Sequence, residues 1–215
     1  MRRSVVVIDY GMGNLFSVAR ALEWCGAEIS FADSAAAIDS AEYLVLPGVG
    51  AFPDGMAGLD QRGLIEPIKN YVHRGRPMLG ICLGMQLLMD YSEEYGHHDG
   101  LALIPGKVVP IPGVDLEGCR QKIPHIGWNK LFPSNGCLWD KTILETLKRG
   151  ASVYFVHSYT VVPSSPKVRL ADTFYGGHNI SAVISSRNII GCQFHPEKSG
   201  EIGLQIIKNF FRLSG

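Results

Sequence analysis

A cysteine between two glycines is the first feature of the sequence that could perform chemistry. Cys82 is the central residue of a Gly-Ile-Cys-Leu-Gly segment at 80–84, which lies between apolar runs. This spacing copies the G-x-S-x-G nucleophile elbow, a sharp strand-to-helix turn that exposes one side chain at the top of a sheet. A helix N-terminus favours the thiolate, which is the reactive form of cysteine. The pattern therefore indicates covalent catalysis by Cys82, whereas the common alternative for a free cysteine is an inert buried thiol.

A histidine and a glutamate near the C-terminus could complete a catalytic triad with this cysteine. His195, Pro196 and Glu197 follow the apolar run at 189–194. A cysteine nucleophile needs a base to take its proton and a third group to orient that base. In an extended segment, residues i and i+2 lie on the same side, roughly 6 to 7 Å apart, so we expect Glu197 to reach His195. Both His195 and Cys82 then follow strands, at the edge where open α/β sheets bind ligands.

The elements that must position these residues alternate between strands and helices. Apolar runs at 5–9, 27–31, 43–46 and 78–81 predict strands, and amphipathic patterns predict helices at 15–25 and 58–74. This alternation predicts an α/β fold with a doubly wound, mostly parallel open sheet flanked by helices. At 215 residues we expect a single domain spanning 1–215.

The C-terminal half has a different pattern. Strand-like runs at 153–159, 168–174, 180–184 and 189–194 follow one another without helices between them. They predict added antiparallel strands in the C-terminal half. We expect further helices at 139–147 and from about 201, and a loop at 124–129 that carries Trp128.

Composition argues against several functional classes. Twenty basic and twenty acidic residues give zero net charge, so neither a nucleic acid nor a membrane surface is an expected partner. The five cysteines are odd in number and include no C-x-x-C pair, which argues against a disulfide framework and a zinc ribbon. The apolar run after the N-terminal Met-Arg-Arg is too short for a signal peptide, so a cytoplasmic location is expected.

Two glycine-rich turns lack the residues that a nucleotide site requires. The turn at 11–14 is not a dinucleotide fingerprint, because Phe16 stands where the third glycine belongs. The turn at 47–52 lacks the Gly-Lys-Ser/Thr ending of a P-loop, but backbone N–H groups of Val49 and Gly50 could stabilise an oxyanion. The segment at 93–99, which contains Glu94 and the adjacent His97 and His98, is interpreted as a solvated loop. The sequence therefore predicts no cofactor and no metal site.

The order of the triad residues separates this chain from the α/β-hydrolases, in which the acid precedes the histidine. Here the acid follows the histidine by two residues. The elbow and the His-Pro-Glu segment together resemble the class I, triad-type glutamine amidotransferases. Further similarity at 11–14, 47–50, 124–129 and 155–159 extends this resemblance through the whole chain, to the glutaminase subunits of imidazole glycerol phosphate synthases in histidine biosynthesis.

The resemblance implies a mechanism. Cys82 attacks the side-chain amide of L-glutamine, His195 transfers protons, and Glu197 orients His195. The departure of ammonia produces a glutamyl thioester on Cys82, which water hydrolyses to glutamate. The resemblance also implies further site residues: Leu83 for the oxyanion, with Val49 and Gly50, and Gln86, His157, Ser158 and Tyr159 for the amino and carboxylate groups of glutamine.

The resemblance also implies a protein partner. A (β/α)₈-barrel cyclase would receive the ammonia through a tunnel and make imidazole glycerol phosphate and AICAR. Asn14, Trp128 and Lys198 are the expected docking residues, on loops at the catalytic end of the sheet. The alternatives are a glutaminase subunit of another synthase, for pyridoxal phosphate or anthranilate, a stand-alone γ-glutamyl hydrolase, and a non-catalytic regulatory interaction subunit.

Overall fold

A central eight-stranded sheet organises residues 3–213, the part of the chain that this computed structural model describes. The strands are numbered along the chain, and their order across the sheet is β2 (Ala27–Ala32), β1 (Arg3–Ile8), β3 (Tyr43–Leu46), β4 (Met78–Ile81), β14 (Ile189–Cys192), β13 (His178–Ser186), β12 (Arg169–Tyr175) and β9 (Phe132–Pro133). The first five strands are parallel, and the last three are antiparallel to their neighbours. The predicted fold class is confirmed.

The alternation of side chains along β1 divides the interior into two cores. Val5 and Val7 face one core, and Val6 and Ile8 face the other. All four are buried, as expected for a parallel strand that is covered on both faces. Helices on opposite sides of the sheet therefore complete two separate hydrophobic layers.

The helices cover the two faces of the sheet. They are α1 (Leu15–Trp24), α2 (Ala35–Ser40), α3 (Phe52–Gln61), α4 (Ile65–His73), α5 (Leu83–Gln86) and α6 (Gly200–Leu213). Helices α1 and α6 pack on the Val5 side, and α2, α3 and α4 pack on the Val6 side. None of the helices within residues 3–213 is long and apolar enough to cross a membrane.

Two small sheets lie beside the central one. The first has four strands in the spatial order β11 (Tyr159–Pro163), β7 (Gly106–Pro110), β5 (Tyr91–Ser92) and β6 (His98–Asp99). The second is an antiparallel pair, β8 (His125–Lys130) with β10 (Ser152–His157). Ser158 alone separates β10 from β11, so the predicted strand at 153–159 in fact serves both small sheets.

Three local predictions were wrong. The helix expected at 58–74 is two helices, α3 and α4, because Gly63 adopts a left-handed φ of +62° between them. Residues 139–147 form turns instead of a helix; Lys141 has a φ of +54°, and the Trp139 indole donates to the Leu170 carbonyl at 3.1 Å. The expected loop at 124–129 is mostly strand β8. In the last two cases long-range contacts override the local pattern.

Candidate active site

Cys82 lies in a strained turn between β4 and α5. Its φ of 55° and ψ of −110° are uncommon for a residue with a side chain. The flanking glycines are required by close packing: a Cβ on Gly80 would lie 2.8 Å from the Gly84 carbonyl oxygen, and a Cβ on Gly84 would collide with the Leu46 carbonyl. The elbow geometry predicted from the spacing is therefore present, although α5 has only four residues.

His195 and Glu197 reach Cys82 because β14 pairs in parallel with β4. The Cys82 N–H donates to the Cys192 carbonyl at 2.7 Å, which extends the ladder beyond the last strand residues. His195 Nδ1 lies 2.8 Å from Glu197 Oε1, and the two side chains are only 2% and 1% exposed. The sequence predicted an extended segment here, and this prediction was wrong, because residues 196–198 form a 3-10 turn. The turn still brings the carboxylate to the imidazole.

The electrostatics of His195 favour the imidazolium form. Burial alone would lower the pKa of His195, but the Cys82 sulfur and the Glu197 carboxylate outweigh it and raise that pKa to about 9. His195 Nε2 is buried and has no nitrogen or oxygen partner within residues 3–213, which leaves the Cys82 side chain as the group that acts on this side of the imidazole. This nitrogen is therefore available to exchange a proton with a reacting group beside the sulfur.

A cavity of about 420 Å³ opens in front of Cys82. Eight of the predicted site residues line it: Val49, Gly50, Cys82, Leu83, Gln86, His157, Ser158 and Tyr159. Lys198, which was predicted for the partner interface, also lines it, as do Glu94, Pro124 and Val156, which were not predicted. The structure thus brings the predicted nucleophile, the oxyanion candidates and the substrate-binding candidates to one cavity.

Comparison with protein families identifies the family of this chain. The family model described as "Glutamine amidotransferase class-I" matches residues 6–213. The chain belongs to the class-I glutamine amidotransferase family.

Similar proteins narrow the position of this amidotransferase within its family. It is 54% identical over 211 residues to imidazole glycerol phosphate synthase subunit HisH 1 of Legionella pneumophila strain Lens, covering 98% of this chain and 99% of that protein. It is 47% identical over 209 residues to subunit HisH of Aquifex aeolicus, covering 96% and 95%. The predicted resemblance to such subunits is confirmed.

Solved structures support the fold. A structure titled "Crystal structure of glutamine amidotransferase" aligns with a TM-score of 0.73 and 17% identity over 98% of both chains. PurLQS from Thermotoga maritima aligns with a TM-score of 0.72 and 19% identity over 99% of both chains. At these identities the similarity concerns the fold alone.

The oxyanion candidates of this amidotransferase lie beside Cys82. The Leu83 N–H donates to the Gly48 carbonyl over 3.4 Å, a long bond. Gly50 has a left-handed φ of +103°, which only glycine adopts readily. The Leu83 N–H is therefore partly engaged by the turn whose backbone was predicted to help form the oxyanion site.

Gln86 has a fixed orientation in the cavity wall. Its Nε2 donates to the Tyr159 carbonyl at 3.1 Å and to Gln193 Oε1 at 3.2 Å. A backbone carbonyl can only accept, so this contact identifies the amide nitrogen of Gln86. Both N–H groups are used, and Oε1 is the atom of Gln86 that can accept a bond from a ligand.

Glu94 is the main site residue that the sequence analysis missed. It was assigned to a solvated segment, but its carboxylate accepts the Phe52 N–H at 2.8 Å and lines the cavity. Burial raises its pKa, while the Phe52 N–H acts in the opposite direction. The signal was weak: an acidic residue just after β5, a strand of two residues.

The three predicted docking residues have different surroundings. Asn14 is exposed and caps α1, its Oδ1 accepting the Ser17 N–H at 3.3 Å. Trp128 is 59% exposed but lies on β8, so its placement on a loop was wrong. Lys198 is exposed at the end of a 3-10 turn, on the cavity wall. Ile126, two residues before Trp128 on the same strand face, is also exposed.

The histidine pair at 97–98 gives no metal site. His97 stacks on Tyr91 with 4.6 Å between ring centroids and pairs with Asp99 at 3.3 Å. Within residues 3–213, no group of three or more His, Cys, Asp and Glu side chains is arranged to hold a metal ion.

The electrostatics of His195 lead to a test by NMR titration. Glu197→Gln removes the carboxylate that stabilises the imidazolium, so the pKa of His195 should fall from about 9. Because that value lies above the ordinary pKa near 6.5, protonated His195 stabilises the fold below about pH 6.5, and this contribution is lost as the pH rises through 9. The chemical shifts of labelled imidazoles measure the change.

The control for this titration is His125, whose pKa burial lowers to about 4. Its titration should be the same in the wild type and in Glu197→Gln. An unchanged titration of His195 in the variant would contradict the assigned role of the carboxylate.

Proposed function

We propose that this amidotransferase hydrolyses L-glutamine to glutamate and ammonia through Cys82, His195 and Glu197. The observation that carries the proposal is that the cavity-lining, strained Cys82 interacts through its side chain with His195, which is itself paired with Glu197 at 2.8 Å between Nδ1 and Oε1. The Cys82 side chain and the Glu197 carboxylate raise the pKa of His195 to about 9, so the imidazole is protonated at neutral pH and can give a proton to a leaving group.

The reaction follows from these groups. The Cys82 thiolate adds to the side-chain carbonyl carbon of glutamine, and the negative charge moves to the carbonyl oxygen. The imidazolium of His195 gives its proton to the departing nitrogen, and the C–N bond breaks to release ammonia and leave a thioester. Water then attacks the thioester carbon while His195 takes a proton from the water. The bond between this carbon and the Cys82 sulfur breaks, which releases glutamate and frees the cysteine.

The oxyanion of each addition step is assigned to the Leu83 N–H and an N–H of the Val49–Gly50 turn. The Leu83 N–H must first leave the Gly48 carbonyl, to which it makes the long 3.4 Å bond. A small movement of the turn at 48–50 would therefore complete the oxyanion site. The need for this movement supports the proposal that catalytic activity is regulated through the turn at 48–50.

The amino-acid end of glutamine is assigned to the part of the cavity wall formed by Gln86, Glu94 and residues 157–159. Glu94 offers a carboxylate, and Gln86 offers Oε1 because both of its N–H groups are engaged, so together they suit the α-ammonium group. The segment from His157 to Tyr159 is assigned to the α-carboxylate. Lys198 stands on the cavity wall and is assigned, with Asn14 and Trp128, to the partner interface.

The partner proposed for this chain is a (β/α)₈-barrel cyclase of histidine biosynthesis that receives the ammonia and makes imidazole glycerol phosphate and AICAR. Full-length relatives named as HisH subunits at 47–54% identity support it. The exposed Ile126 and Trp128, on the strand that follows the cavity-lining Pro124, offer an apolar surface for docking. Five free cysteines support a reducing location such as the cytoplasm.

Substitution of the nucleophile tests the reaction. Cys82→Ala or Cys82→Ser should abolish glutamine hydrolysis, because neither side chain can form the thioester, while binding to the cyclase persists. Ammonia release and co-sedimentation with the cyclase measure the two properties. The matched control is Cys119→Ser, which changes an exposed cysteine and should retain activity. Full glutaminase activity in a Cys82 variant would refute the assignment.

Glu94→Gln tests the ammonium site. Loss of the charge should raise the KM for glutamine by about tenfold to a hundredfold, the usual cost of a lost charged hydrogen bond. The matched control is Glu93→Gln, whose exposed carboxylate instead pairs with Lys107 at 2.8 Å. An equal KM in wild type and Glu94→Gln would remove Glu94 from the substrate site.

The position of the Leu83 N–H leads to a prediction about activation. The isolated chain should hydrolyse glutamine slowly, and the cyclase with its nucleotide ligand should raise the turnover number, because docking beside the turn at 48–50 can release Leu83. Ammonia release with and without the ligand-bound cyclase measures this effect. Equal turnover in both assays would show that the oxyanion site does not depend on the partner.

A further inference from the structure

Two buried histidines outside the triad face each other across the β8–β10 pair. His125 and His157 are directly opposite in the register, and both are buried. His125 Nδ1 lies 3.0 Å from His157 Nε2, and His157 Nδ1 lies 2.8 Å from the Tyr159 carbonyl oxygen. The proposed catalytic steps use neither imidazole for proton transfer.

The partners of this pair determine which ring nitrogen carries each proton. The Tyr159 carbonyl can only accept, so His157 donates through Nδ1, and its Nε2 must accept. His125 therefore donates through Nδ1 to His157 Nε2. His125 Nε2 then accepts from the Asn129 amide at 3.4 Å, and the same amide donates to the Phe174 carbonyl at 2.8 Å. The hydrogen bonds run in one direction, from Asn129 to Tyr159.

The surroundings keep His125 in place and both rings neutral. The His125 ring is stacked between Tyr175 and Phe155, with centroid distances of 4.2 and 4.9 Å. Burial lowers the pKa of His125 to about 4 and that of His157 to about 3. At neutral pH each ring therefore has one donor and one acceptor, as the chain of bonds requires.

The chain ends at a carbonyl that belongs to the cavity wall. Tyr159 O accepts from His157 Nδ1 and also from Gln86 Nε2 at 3.1 Å. The orientation of this peptide, which joins Tyr159 to Thr160, therefore affects Tyr159 directly and the Gln86 side chain through its hydrogen bond. Both residues line the cavity in front of Cys82, as does His157 itself.

We propose that His125 is a positioning residue for glutamine binding. Its Nδ1–H holds His157 as a donor to the Tyr159 carbonyl, which fixes the cavity wall that receives the amino-acid end of the substrate. His125 does not itself line the cavity and acts only through His157. The inference rests on the proposed function, because it requires that this cavity binds the amino and carboxylate groups of glutamine.

The test compares three substitutions of His125 in the full chain. His125→Asn keeps an N–H near the position of Nδ1, whereas His125→Phe keeps the stacked ring but loses the donor. His125→Gln places its amide one bond further out, towards Asn129. If His125→Phe does not fold, as judged by its thermal transition, the comparison of His125→Gln with His125→Asn addresses the same question.

Two alkylating probes separate substrate positioning from thiol reactivity. The chloroketone analogue of glutamine carries the amino-acid end, and iodoacetamide does not. Modification of the Cys82 peptide is followed by mass spectrometry, because the exposed Cys119 also reacts with iodoacetamide. The half-saturating concentration of the chloroketone and the rate constant with iodoacetamide are measured for each variant.

The expected result differs between the two probes. His125→Phe and His125→Gln should raise the half-saturating chloroketone concentration about tenfold, in line with the loss of one buried hydrogen bond. His125→Asn, which keeps the donor, should have a half-saturating concentration close to that of the wild type. Iodoacetamide should modify Cys82 at a rate within about twofold of wild type in all three.

Other outcomes overturn the proposal. Wild-type chloroketone kinetics in His125→Phe or His125→Gln would show that the donor has no role in positioning. Equal slowing with both probes would indicate a general disturbance of the elbow, which also contradicts it. If Cys82 of the wild type reacts with iodoacetamide but shows no saturable reaction with the chloroketone, the proposed glutamine site itself is wrong.

Discussion

The parallel pairing of β4 with β14 is the constraint on which the rest of the active site depends. Gly80 pairs with Gly191 and Ile81 with Cys192, and the Cys82 N–H adds a 2.7 Å bond to the Cys192 carbonyl. The two strands therefore end side by side, and the residues after them must share one edge of the sheet. Cys82 and His195, the proposed nucleophile and base, are more than a hundred residues apart in sequence and meet because two strand ends are in register.

Small residues around the paired strands make room for the strained backbone of Cys82, the proposed nucleophile. Met85, in the first turn of α5, packs so tightly on Gly191 that a Cβ there would lie 2.6 Å from its Cγ. Gly80 and Gly84 leave no room for side chains of their own. The surrounding sheet and helices thus hold Cys82 at a positive φ that an isolated peptide would rarely adopt. Packing around the elbow, more than the four-residue helix after it, determines the direction of the thiol.

The two small sheets add the walls of the cavity to the central sheet. β5 brings Glu94, the junction of β10 and β11 brings Ser158, and β8 carries Trp128 on its exposed face. The His125–His157 contact joins β8 to the wall at Tyr159. Because β8 is also the proposed docking strand, the same element has an exposed face and is joined by hydrogen bonds to the proposed substrate-binding wall.

Sequence alone determined the features that depend on local spacing: the buried parallel strands, the elbow at Cys82, and the short separation of His195 and Glu197. The tertiary structure decided the rest. Glu94 was assigned to a solvated segment because β5 and β6, of two residues each, have no readable period and form only by pairing. The strand containing Trp128 was interpreted as a loop because β8 is stabilised by its long-range pairing with β10. Likewise, the tautomers of His125 and His157 follow from partners that only the folded chain brings within hydrogen-bonding distance.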